Sequence, residues 1–142
     1  MANDLIARAS TRIDASAYDV WRALTDPKLV KQYFFGTDLK TDWKPGGAIR
    51  WSGEWQGKAY EDKGKVLEVQ PGKRLRYTHF SPLSGLPDEP ANYQTITVDL
   101  AADGGGTRVS IEQDGNPDEK ARDHSQDNWK MVLEGLKKLL EQ

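Results

Sequence analysis

The sequence contains no cysteine and only two histidines, His79 and His124, far apart along the chain. The first absence excludes disulfides and thiolate metal centres. The second leaves no spacing for a histidine-based metal site. Long apolar runs are also missing. The N-terminal "MANDLIARAS" is too polar for a secretory signal or a membrane span. There is no excess of either charge: 20 Lys and Arg stand against 22 Asp and Glu, a net of −2. Such a balance gives no basic footprint for nucleic acid. No internal repeat, no N-x-S/T sequon, no G-x-S-x-G and no Ser/His/Asp grouping occurs. The three glycines 104–106 run into Thr107-Arg108-Val109, a strand pattern, so they are a turn and not a phosphate loop. These absences lead to one domain over residues 1–142, cytoplasmic, with no cofactor, no metal, no nucleic acid and no membrane span. The oligomeric state is left open.

What is present is periodicity. Leu5, Ala7, Ala9, Thr11 and Ile13 share a parity, with Arg8, Ser10, Arg12 and Asp14 opposite: a strand with one wet face. Ser16 is placed to cap a short helix carrying Val20, Trp21 and Leu24. Asp26-Pro27 stops it and starts a second one, which Gly36 ends. The period then falls to two. Leu39, Thr41 and Trp43 share a parity, Pro45-Gly46-Gly47 turns, and Ile49, Trp51, Gly53 and Trp55 return on one face. Further strands follow through "YEDKGKVLEV", "KRLRYTHF", "YQTITVDL" and "TRVSIEQ". Residues 81–91 form the longest loop, broken by Pro82, Gly85, Pro87 and Pro90. From Pro117 a long helix runs with Trp129, Val132, Leu133, Leu136, Leu139 and Leu140 on one stripe. The expected architecture is α+β: a curved antiparallel sheet of about six to seven strands around the last helix, with two short helices after the first strand.

Three of the five tryptophans fall in "WKPGGAIRWSGEW", residues 43–55. Aromatic rings recur on inward parities elsewhere, so either they fill a core or they line a pocket. The pocket reading selects Trp51, Trp55, Tyr77, His79, Tyr93 and Trp129 as lining residues. Phe34 and Phe35, with the loop 81–91, form its mouth. His79 shares the parity of Leu75 and Tyr77; it is either a hydrogen-bonded or solvated histidine near the strand end or, with Tyr77 or Gln113, a polar point of the pocket. Glu54 and Glu112 face away from the apolar positions and read as wet.

Several stretches, taken in order, resemble a known family. They are "WRALTDPKLVKQYFFG", "DWKPGG", "GKVLEVQPGKRLRYTHF", "GGGTRVSI" and "HSQDNWKMVLEGLKKLL". Together they are similar to the homologues of the C-terminal domain of the Hsp90 ATPase activator, within the START-like helix-grip superfamily. The resemblance spans roughly residues 8–141. It implies a curved sheet gripping a long C-terminal helix, with a cavity between them. Relatives of this type bind lipids, sterols, polyketides or flavonoid-like aromatics, and a minority are enzymes. The chain departs from the family pattern in two places. Tyr33-Phe34-Phe35-Gly36 stands where many relatives have Trp-Phe-Gly. His124 lies five residues before Trp129 and not four, with Asn128 in place of a glycine. No role tied to that histidine is therefore carried over.

The expectation is a binding protein for a small hydrophobic ligand, with no catalytic residues assigned. The alternative is a co-chaperone-like protein that binds an Hsp90-type chaperone. A third reading is a pocket enzyme, a cyclase or hydrolase with His79 as acid or base.

Overall fold

Local signals start the two short helices where the sequence places them. A computed structural model describes residues 5–34, 36–55, 57–82 and 85–141, apart from the Trp55 side chain. Strand β1 (Ala7–Ile13) leads into helices α1 (Ala17–Thr25) and α2 (Pro27–Tyr33). The Ser16 hydroxyl accepts from the Asp19 amide and caps α1. The Asp26 carboxylate caps α2, with Pro27 in its first turn. Six strands follow: β2 (Asp38–Lys40), β3 (Ala48–Trp55), β4 (Lys58–Gln70), β5 (Arg74–His79), β6 (Gln94–Asp103) and β7 (Gly106–Gln113). Helix α3 (Glu119–Leu140) closes the chain.

All seven strands form one antiparallel sheet in the order β1-β7-β6-β5-β4-β3-β2. It is open, with β1 and β2 at its edges, and it grips α3. Trp129, Val132, Leu133 and Leu136 are the buried stripe of that helix. They meet Ile13, Ile49, Val66, Leu75, Ile96, Val98, Val109 and Ile111 from the sheet and Val20, Val30 and Tyr33 from α1 and α2. Each fully buried aliphatic side chain here contributes about 1.5–3 kcal/mol. Side chains of α3 also reach the free edge of β1. The Arg8 amide donates to Gln126 Oε1 at 3.1 Å. Lys137 Nζ donates to the Arg12 carbonyl at 2.8 Å.

Two expectations about boundaries are corrected. Trp43 does not continue β2, which stops at Lys40. Its backbone is left-handed, with φ of 55°. Two contacts hold it there: the indole N–H donates to the Thr25 carbonyl at 2.9 Å, and the ring meets Tyr77 edge-on at 6.2 Å. Helix α3 starts later than Pro117. Asp118 is its N-cap, and its carboxylate accepts from the Ala121 amide at 2.8 Å.

Candidate functional site

Strand β4 carries Tyr60, Asp62, Gly64 and Val66 on one parity. Asp62 lies opposite Trp51 in the β3–β4 register. Gly64 is where β5 crosses closest: a Cβ there would collide with the Thr78 carbonyl and come within 3.3 Å of the Trp51 ring. That approach brings His79 beside Asp62. The His79 Nε2 and Asp62 Oδ2 are 2.9 Å apart. The His79 ring stands edge-on to Trp51, with centroids 5.1 Å apart. Asp62 Oδ1 is buried and, among the described residues, has no hydrogen-bond partner.

These residues line a cavity of about 780 Å³ between the sheet and α3. Its apolar walls include Phe34, Trp51, Tyr77, Ile96, Trp129 and Val132. Its polar points are Thr37, Tyr60, Asp62, His79, Ser81 and Gln113 from the sheet side, and His124, Ser125 and Asn128 from α3. Most of these points are fixed by other contacts. Thr37 Oγ1 and the Tyr60 hydroxyl are hydrogen-bonded at 2.7 Å. The Trp129 indole N–H donates to Gln113 Oε1 at 2.7 Å, and Gln113 Nε2 donates to Gln94 Oε1 at 2.8 Å. Burial pushes the Tyr77 phenol well above its ordinary value, so it stays neutral. A second, apolar void of about 30 Å³ lies deeper, between Tyr33, Trp43, Tyr77 and α3.

Of the residues selected from sequence, Phe34, Trp51, Tyr77, His79 and Trp129 come together on this cavity. Phe34 and Trp129 pack edge-on at 5.8 Å. Trp55 ends β3, and its side chain lies outside the described residues, as does Phe35. Tyr93 does not line the cavity. It stacks on Phe80 at 5.0 Å and donates to Asp88 Oδ1 at 2.6 Å. Asp88 also pairs with Lys63. Hydrogen bonds from Lys63 and Tyr93 hold the Asp88 carboxyl below its usual range. The turn Pro90–Asn92 precedes Tyr93 and sets its direction, so the strand parity that begins at Gln94 does not govern it. From the loop 81–91, Ser81 reaches the cavity.

Sequence reasoning missed Asp62, Tyr60 and Thr37. The first two were signalled by their shared parity with Val66; Thr37, just before β2, carried no such signal.

An open seven-stranded antiparallel sheet around a long C-terminal helix, with a cavity between them, defines a helix-grip protein. The profile of the activator of Hsp90 ATPase homolog 1-like protein family matches residues 14–141, and the chain belongs to that family. No curated protein matches it by sequence. Among solved structures, ChR145 from Cytophaga hutchinsonii is 50% identical; the match covers 99% of this chain and 97% of that one, at a TM-score of 0.86. CV1439 from Chromobacterium violaceum is 27% identical, covering 96% and 97%, at a TM-score of 0.79. The Aha1 dimer from Colwellia psychrerythraea is 21% identical, covering 96% of each chain, at a TM-score of 0.74; this last likeness is one of fold. Among the described residues, no helix is long and apolar enough to cross a membrane.

Proposed function

We propose that this protein binds a small apolar or aromatic molecule between its sheet and α3. The observation that carries the reading is the cavity of about 780 Å³. Its size falls in the range of roughly 300–1,000 Å³ common for small-molecule sites. The rings of Phe34, Trp51, Tyr77 and Trp129 supply area, and His79 and Asp62 orient one polar group of the ligand.

The test is an amide NMR titration with fatty acids, sterols and planar polyphenols. Saturable shifts are expected at 34, 51, 77–79 and 124–132. A flat response across the panel, from a well-dispersed spectrum, would overturn the reading. It would favour a second one that rests on the family's description as Hsp90 ATPase activators. In that case, adding the chain to an Hsp90-type chaperone must change its ATP turnover.

A further inference from the structure

We propose that the cavity is also a proton-transfer site. In it His79, held by Asp62, acts as a catalytic base on an apolar carbon acid lying against Trp51, an isomerisation or ring-opening that needs no co-reactant. The inference rests on the ligand-binding reading above and adds chemistry to it.

With Asp62 as the acceptor, the ring is held in one tautomer. A carboxylate only accepts, so the hydrogen bond of 2.9 Å to Asp62 Oδ2 requires the proton on His79 Nε2. The basic lone pair is then on Nδ1. Among the described residues no group hydrogen-bonds Nδ1. The ring lines the cavity with its side chain 28% exposed. Trp51 and the imidazole meet in a T-shaped arrangement on the same wall of the cavity, so a planar substrate beside His79 meets an aromatic surface. Asp62 is the positioning residue. Its Oδ1 is buried and has no partner among the described residues, so part of its hydrogen-bonding capacity is unmet. Proton uptake at Nδ1 turns His79 into a cation against that carboxylate, and the pair strengthens as the transfer proceeds. A base oriented in this way, in a largely apolar cavity, meets the geometric requirement for general base catalysis.

The probe is 5-nitrobenzisoxazole, a planar carbon acid. The base takes the proton from C3, the C–H electron pair becomes the third C–N bond, and the N–O bond breaks. The oxygen leaves as a coloured nitrophenolate, and His79 passes its proton to water. Binding is measured separately with 6-nitrobenzotriazole, which has the same shape but cannot react. Saturable turnover above that of free imidazole is expected. His79→Gln should lower kcat about 100-fold, the lower end of what a positioned base contributes. Asp62→Asn should lower kcat by a larger factor than it changes KM or benzotriazole affinity, because an amide no longer fixes the tautomer. Nitrogen NMR of the His79 ring reads this directly: Nε2 protonated in the native chain, and a mixed or reversed assignment in Asp62→Asn. Benzotriazole binding with turnover no greater than in His79→Gln overturns the inference and leaves the binding reading standing. Failure to bind either probe overturns the inference whatever the ligand panel gives. A native ring protonated on Nδ1 also overturns it.

Discussion

Single residues decide where this chain bends. Gly46 adopts φ of +84°, and its amide donates to the Val66 carbonyl at 2.8 Å, which fastens the turn to β4. An L-residue there is strained whatever the space around it. Gly46→Val is therefore expected to cost about 1–3 kcal/mol in urea unfolding; an unchanged midpoint would remove the argument. Gly47 is glycine for a different reason. Its φ is not in the left-handed region, but a Cβ would come within 2.8 Å of Asp42 Oδ1 and 2.9 Å of the Lys44 carbonyl. The sequence "WKPGGAIRWSGEW" announced a turn between two tryptophans. It did not reveal that Trp43 leaves the strand to close on Thr25, because that hydrogen bond depends on a helix 18 residues earlier.

At the scale of elements, α3 is fastened at its start as well as packed along its length. Asn116 is fully buried. Its Nδ2 donates to the carbonyls of Leu5 and Gln113, and its Oδ1 accepts from Ser125. One side chain thus ties the segment before β1, the end of β7 and the first turns of α3. Asn116→Ala leaves these groups short of partners and should cost about 2–3 kcal/mol. Chemical denaturation measures the loss, and a change below a few tenths would show that water replaces the amide. The elements themselves were largely legible: alternation gave β1, β3, β6 and β7, and the leucine stripe gave α3. The weak point was β4. A bulge between Val66 and Glu68 shifts its register against β5. Val66 pairs with Tyr77 and Val69 with Leu75, so inward positions are three apart across the bulge. Simple alternation through "YEDKGKVLEV" cannot follow that shift. The pairing of Asp62 with His79 depends on how β4 crosses β5, which is why it stayed hidden while His79 alone was visible.

For the whole molecule, the buried phenols set an alkaline limit. Burial, and to a lesser degree the neighbouring Tyr77, raises the Tyr33 phenol far above its ordinary value of 10.0. Burial raises Tyr77 as well. In the unfolded chain both ionise near pH 10, and in the fold they stay neutral. Their contribution is therefore fully present below about pH 10 and is lost as pH rises toward the folded values. Each group gives a slope of about 1.4 kcal/mol per pH unit in that window. Urea unfolding at about pH 9 and about pH 11 should differ accordingly, with Tyr33→Phe and Tyr77→Phe each flattening the difference. Equal midpoints at both pH values would refute this account.

The sheet never closes on itself, so it has two rims where a foreign strand is able to add. At one rim β2 is only three residues long and exposes Asp38 and Lys40. At the other, Gln126 and Lys137 of α3 occupy hydrogen-bonding positions of β1 that an incoming backbone would use. The Asp14 amide just beyond it is taken by Glu141 at 2.7 Å. The helix that encloses the cavity therefore also covers the β1 rim against templated stacking into fibres, the hazard that bare strand edges carry.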